Sequence, residues 1–395
     1  MPCPFSLRPA WAEINLDNLV SNLKEFRRRV GQKVKIMAVV KADGYGHGAV
    51  EVAQAAVENG CDYLGVGFLD EGIELRKAGL NTPILILGYT PPEQAEQLLH
   101  HNLVPTVFSL DLAKALAEEA KRRGEKARVH VKVDTGMGRL GIFSWEEGID
   151  FIRELNRWPA LEVEGFYTHF AAADERDKTF TLEQLSRFKK VVETLSQEGI
   201  EIPLKHVANS AASIDLSQTH LDMIRLGISL YGLYPSPEVE RERVDLKPVM
   251  SLKARVIHLK EVPPGTSISY GRTYVTRGKT WIASLPLGYG DGYSRLLTGK
   301  GQVLIRGRRY FIVGRICMDQ MMVDLGEDPP PVEEGEEVVI MGEQGSEAVL
   351  AEEIAGWLGT INYEVTCAVS KRIPRVYLRD NKIIAARTLL GKVDF

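Results

Sequence analysis

From residue 11 to about residue 234, short apolar runs alternate with amphipathic stretches of helical period. The runs cover 34–40, 63–68, 84–87, 105–108, 129–133, 163–170, 204–208 and 223–228. Between them lie the helical candidates 47–58, 70–78, 92–100, 111–123, 145–156 and 181–197, and a further one, 17–29, precedes the first run. Thr181 and Gln184 have the spacing of a capping box at the start of the 181–197 helix. Eight consecutive strand–helix units over little more than 200 residues predict a closed (β/α)8 barrel in preference to an open doubly wound sheet. A polar, Pro-containing stretch, 235–247, then changes the texture. Beyond it come short β-branched or alternating runs at 249–259, 280–285, 302–305, 310–313, 321–325 and 337–341, with one clear helical pattern at 350–358. The expected organisation is an α/β chain, with a TIM-type barrel domain over 1–240 and a mostly-β domain over 241–395.

Composition narrows the class. The chain has 395 residues, too many for one core, and a formal charge of −4 with no basic run, which disfavours a nucleic-acid partner. Cys3, Cys61, Cys317 and Cys367 are scattered, so neither a disulfide framework nor a metal site is indicated, and a reducing, cytoplasmic setting fits. The first eleven residues lack a signal-peptide core, and no apolar stretch approaches the ~20 residues of a membrane span.

Barrel enzymes place their chemistry at the carboxyl ends of the strands. In this chain those ends carry Lys41, then Lys132, Asp134 and Arg139, then His169, then Asn209 and Ser210, then Arg225. Lys41 closes a buried run and opens Lys41-Ala42-Asp43-Gly44-Tyr45-Gly46-His47-Gly48. A partly desolvated lysine has a depressed pKa and a nucleophilic amine, able to condense with an aldehyde, while Tyr45 offers a hydroxyl suited to a phosphate. The bland alternative is a lysine that reaches solvent. In Val129-His130-Val131-Lys132-Val133-Asp134 the alternation turns His130, Lys132 and Asp134 inward. Lys132 then needs an ion pair, with Asp134 or farther away, or a modification. His169 taken alone is as much a core histidine as a functional one. Arg225, flanked by apolar residues in Ile224-Arg225-Leu226-Gly227-Ile228, is no ordinary surface arginine. In the second domain Tyr270, Tyr289 and Tyr363 sit in Ser269-Tyr270-Gly271-Arg272, Gly288-Tyr289-Gly290-Asp291 and Asn362-Tyr363-Glu364, and Cys317-Met318-Asp319 lies between the last two.

These stretches, in order and spacing from Lys41 to Tyr363, resemble the alanine racemase family. Gly44 is a small-for-small departure from that family's usual alanine. The resemblance implies pyridoxal 5'-phosphate carried on Lys41, with Asn209 at the cofactor and Tyr45, Ser210, Gly227, Ile228 and Tyr363 at the phosphate. It implies Arg225 against the pyridine nitrogen, and His169 in a polar chain from Arg225 to the catalytic tyrosine. It further implies Arg139, Met318, Tyr289 and Cys317 around the substrate, and a carbamate on Lys132. In this family Tyr270 is a base delivered by the second subunit of a homodimer. Inversion at an α-carbon needs proton exchange on both faces, which Lys41 and Tyr270 would provide. The expected reaction interconverts L- and D-alanine, feeding peptidoglycan. Three alternatives remain: a serine or broad-specificity racemase, a basic amino-acid decarboxylase, which Arg225 disfavours, and a non-catalytic cofactor carrier, which the second domain disfavours.

Overall fold

The computed structural model describes residues 8–328 and 331–394; Cys3 lies outside them. It separates into two compact units. One comprises Leu19–Gly44 and Ala49–Lys247; the other holds the described residues up to Asn18, Tyr45–Gly48, and those from Pro248 onward.

The first unit is the barrel. Its strands are β1 (Lys35–Val39), β2 (Tyr63–Val66), β3 (Ile84–Ile86), β4 (Val104–Val107), β5 (Ala127–Lys132), β6 (Leu161–Tyr167), β7 (Leu204–His206) and β8 (Met223–Leu226). They pair in parallel in the order β7-β6-β5-β4-β3-β2-β1-β8. Two backbone hydrogen bonds join the ends of that series and close the cylinder: Asp222 N–H to Lys205 O at 3.1 Å and Arg225 N–H to Ala208 O at 3.0 Å. Most of the apolar runs, β5 excepted, are continuous rather than alternating because a parallel barrel strand is covered on both faces. Ile36, Ile84, Leu85, Val107, Val129, Val131 and Ile224 are all fully buried, each contributing roughly 1.5–3 kcal/mol. Helices follow most strands; Leu16–Val30 precedes β1, and Thr179–Gln197 precedes β7.

One local expectation fails at that last helix. It begins at Thr179 after Lys178, and no side chain caps it. Gln184, fully buried, instead accepts from Ala171 N–H at 2.9 Å. The capping-box spacing lies inside the helix, where those side chains face the barrel.

The second unit is mostly β. A long sheet is built around Met250–Arg255, which pairs antiparallel with Ala10–Asn15 and with Glu337–Gln344. Ala10–Asn15 pairs in parallel with Arg375–Arg379 on its other edge. The sequence reading gave residues 10–15 to the barrel domain; their ladder partners place them in this sheet. The run at 249–259 is two strands, Met250–Arg255 and His258–Val262. The pattern also missed the helix Asn362–Ala368 and the closing strands Arg375–Arg379, Lys382–Thr388 and Gly391–Asp394. In Lys382–Thr388 only Ala385 and Ala386 are buried. Among the described residues no helix is long and apolar enough to cross a membrane.

Candidate active site

The barrel mouth is organised by the turn after β1. Val40 N–H still bonds Gly65 O at 2.8 Å, and then the chain turns left-handed through Ala42 (φ 52°), Asp43 (φ 54°) and Gly44 (φ 61°). Two non-glycine residues in that region cost on the order of 1–2 kcal/mol each. Specific contacts hold them there. Glu71 accepts from Ala42 N–H at 2.7 Å and from Gly67 N–H at 2.6 Å. Asp43 Oδ1 accepts from Ala49 N–H at 3.0 Å, and Tyr231 donates to Val39 O at 3.0 Å. Lys41, exposed, begins this constrained turn. Nothing in the sequence distinguishes Glu71 from an ordinary acidic residue in the first turn of a helix, so it was missed.

Arg225, buried on β8, is the hub of the polar interior. Its Nη1 donates to His206 Nδ1 and to His206 O, both at 2.9 Å. Its Nη2 meets Thr168 O at 2.8 Å, Val207 O at 3.1 Å and His169 Nδ1 at 3.2 Å. Nε makes no hydrogen bond among the described residues, and neither does the guanidinium form an ion pair among them. Burial lowers its pKa to about 10, which leaves it a cation at neutral pH. His169 is held from behind by Gln184, whose Nε2 donates to His169 O at 3.2 Å. Burial, then the charges of Arg225, Arg139, Lys132 and Lys41, keep the His169 imidazole neutral.

Lys132 is almost fully buried at the end of β5. The Lys132–Asp134 ion pair, one of the alternatives for this lysine, does not form among the described residues. Asp134 is turned to the loop backbone, accepting from Gly136, Met137 and Arg139 N–H at 2.9, 2.7 and 2.9 Å. The Lys132 ammonium lies 5.6 Å from the centroid of the Tyr167 ring. Burial and the charges of Arg139, Arg225 and Lys41 bring its pKa down to about 8. Four cations therefore act on one mouth. At the ends of β7 and β8, Ser210 Oγ accepts from Gly227 N–H at 3.0 Å and from Ser229 N–H at 3.4 Å, with Ile228 buried between them. Asn209 caps the short helix Ser210–Asp215 through Ala212 N–H at 3.0 Å.

The second unit gathers the remaining candidates into two groups. Tyr45 and Tyr363 face each other with ring centroids 6.2 Å apart. Arg375, fully buried, holds that loop through Gly46 O at 3.0 Å. In the other group, Tyr289 N–H bonds Cys317 O at 3.0 Å and Gly290 N–H bonds Met318 O at 2.9 Å. Ser269 Oγ, beside Tyr270, approaches Cys317 Sγ at 3.5 Å and donates to Arg315 O at 2.5 Å. Tyr270, Tyr289 and Met318 are exposed on this surface. Asp291, buried by Arg8 and Arg372, also accepts from Gly288 N–H at 3.1 Å and fixes the Tyr289 turn.

Two family models match the chain: alanine racemase, N-terminal domain, over residues 14–235, and alanine racemase, C-terminal domain, over 249–377. The chain belongs to the alanine racemase family. It is 54% identical to the alanine racemase of Desulforamulus reducens over 94% of its own length and 99% of that protein's. The solved alanine racemase of Clostridium difficile 630 superposes with a TM-score of 0.92 at 47% identity, covering 97% of this chain and 99% of that one. A more distant solved relative is the histidine racemase of Leuconostoc mesenteroides, with 29% identity, a TM-score of 0.87, and coverage of 95% and 99%. Membership makes this chain an isomerase whose reaction is the racemisation of alanine.

The donor set fits the cofactor of that reaction. A mouth holding Lys41, Lys132, Arg139 and Arg225, with Asp134 committed to backbone, suits a polyanion such as a phosphate ester together with a carboxylate. The Arg225 Nε–H, unpaired among the described residues, and the Ser210 hydroxyl are donors left over for such a group's ring nitrogen and phosphate.

Proposed function

We propose that the chain racemises alanine with pyridoxal 5'-phosphate by a two-base mechanism. The observation that carries the reading is Arg225, a buried cation whose partners are histidine nitrogens and carbonyls. A guanidinium donates hydrogen bonds and does not surrender its proton. Placed against a pyridine nitrogen it favours simple removal and return of a proton over decarboxylation.

The cofactor, when bound, supplies the delocalisation that makes an α-proton removable. Lys41 would carry it, with Asn209 beside it and Tyr45, Ser210, Gly227, Ile228 and Tyr363 toward its phosphate. Lys41 Nζ exchanges the α-proton on one face, serving the D-isomer. Tyr270 Oη, supplied by a second copy of the chain, exchanges it on the other, serving the L-isomer. His169, hydrogen-bonded to Arg225, orients that tyrosine. Arg139 and the backbone at Met318 hold the substrate carboxylate, and Tyr289, Cys317 and Met318 bound its side chain. Lys132, partly neutral near pH 8, adds its amine to CO₂ with loss of one proton. The resulting carbamate offsets the surrounding cations and orients Arg139. The barrel up to residue 240 thus carries the cofactor, and the domain from 241 delivers the second base. The thiols of Cys61 and Cys317 are free, as suits a cytoplasmic enzyme making D-alanine for peptidoglycan.

The test is chiral chromatography of the holoenzyme's products from alanine, serine and histidine. Turnover of alanine alone supports a pocket limited to a methyl group. The likeness to a histidine racemase favours one second reading, broad specificity, and comparable turnover of serine or histidine would establish it instead. Mixing Lys41 and Tyr270 variants tests the shared site: recovered activity supports it, and none after demonstrated subunit exchange refutes it.

A further inference from the structure

Behind Arg225 the barrel interior holds a chain of titratable groups for which the reaction has no assigned use. His206 Nε2 lies 2.9 Å from His130 Nδ1. His130 Nε2 in turn lies 3.4 Å from Glu164 Oε2, beyond good hydrogen-bond alignment, and has no other partner among the described residues. Glu164 is gripped from two other strands, by Tyr63 Oη at 2.7 Å and Arg128 Nη1 at 3.3 Å. Both imidazoles are completely buried.

The barrel is shaped to admit them. The β5–β6 register shifts between Val129 and His130, opposite Glu164. Gly165 follows, where a Cβ would lie 2.4–2.5 Å from the His130 ring. His206 is stacked on Tyr167 with centroids 4.7 Å apart and planes 9° from parallel. The ends of the chain dictate its protons. Arginine can only donate and an ionised carboxylate can only accept. One arrangement satisfies both hydrogen bonds and turns the last N–H toward the carboxylate: His206 and His130 both neutral, each with its proton on Nε2. Burial, the main cause, holds both rings neutral, and hydrogen bonds from His130 and Tyr63 outweigh burial to keep the Glu164 carboxyl at about 2.

We propose that Glu164 is a positioning residue for the racemase reaction, acting through His130 and His206 to fix the direction of their hydrogen bonds and to balance the charge of Arg225. The proposal rests on the assignment of Arg225 to the cofactor's ring nitrogen. Its strand-embedded position and its neighbours Tyr63, Arg128 and Glu162, with Arg76 beyond Arg128, set the field at Glu164. At the other end Tyr167, Arg139, His169 and His206 set the field at Arg225.

The experiment uses holoenzyme with ¹⁵N-labelled histidine, comparing wild type, Glu164→Gln, Glu164→Leu and Arg225→Lys. Two readings are taken: long-range ¹⁵N–¹H correlation for the proton position on each ring, and the pH midpoint of the bound cofactor's absorption. Wild type is expected to show Nε2–H at His130 and His206. Glu164→Gln keeps an acceptor and so keeps those positions. Its lost charge disfavours protonated forms near Arg225 and moves the midpoint down by on the order of one pH unit, tenfold in proton affinity. Glu164→Leu should add a second His130 tautomer. Should the Leu variant not fold, the Gln variant decides. An unmoved midpoint in Glu164→Gln overturns the proposal. If Arg225→Lys moves the midpoint in that case, the Arg225 assignment survives and only Glu164's role falls; if neither moves it, the assignment fails too.

Discussion

Lys132 offers a prediction whose size follows from the structure. The residue is 3% exposed, and its ammonium has no ion pair among the described residues and lies in the field of Arg139, Arg225 and Lys41. The drop in pKa from 10.5 to about 8 means that keeping it charged costs the folded state about 3 kcal/mol. The folded state releases this proton first, so between about pH 8 and 10.5 the unfolded chain binds more protons and stability rises with pH. Below about pH 8 the whole cost is present. Lys132→Met removes it and forfeits the buried cation–π contact with Tyr167, about 2 kcal/mol. The variant should therefore be more stable than wild type by about 1 kcal/mol at pH 7, with the lead gone by pH 10.5. Urea unfolding in CO₂-free buffer at both pH values measures this. Adding bicarbonate should stabilise wild type alone, because only wild type can form the carbamate. A Met variant less stable at pH 7, or equally ahead at both pH values, would refute the electrostatic account.

Three further outcomes follow from other residues. Tyr270 is 68% exposed, so Tyr270→Phe should leave stability within about 0.5 kcal/mol. Solvent-deuterium incorporation should fall by roughly 10²–10⁴ from L-alanine and far less from D-alanine, and equal losses would sink the two-base assignment. Lys41→Ala should abolish the cofactor's absorption band near the visible; a retained band removes Lys41 from the scheme. At Gly46 (φ +85°) a Cβ would sit 2.2 Å from Thr366 O, so Gly46→Ala should lower stability by at least about 2 kcal/mol and shift the thermal midpoint down. An unchanged midpoint would mean that the loop is free to move away.

The linear chain by itself determined the architecture and the chemical vocabulary. Eight buried runs alternating with helical stretches call for a parallel sheet sheathed in helices, and their number favours closure over an open sheet. Lys41 and Arg225 stood out because each puts a reactive or charged group in a local setting that ordinarily excludes one, whereas Tyr270 stood out only through the family resemblance. Glu164, Gln184, Glu71 and Gly165 carry no such local anomaly. Their significance comes from neighbours 29 to 101 positions away for the hydrogen bonds of Glu71 and of Glu164 with Tyr63, and across a strand register for Gly165. Spacing also misled where two patterns coincide. Thr181 and Gln184 are three apart as in a cap, but helical period equally puts them on one buried face. The strand Ala10–Asn15 joined the far sheet because its partners are 240 residues downstream, and hydrogen-bond pairing is blind to chain distance. Residue type determines what a side chain can do; only the folded backbone decides what stands beside it, because burial and partner geometry, not identity, set a proton's place.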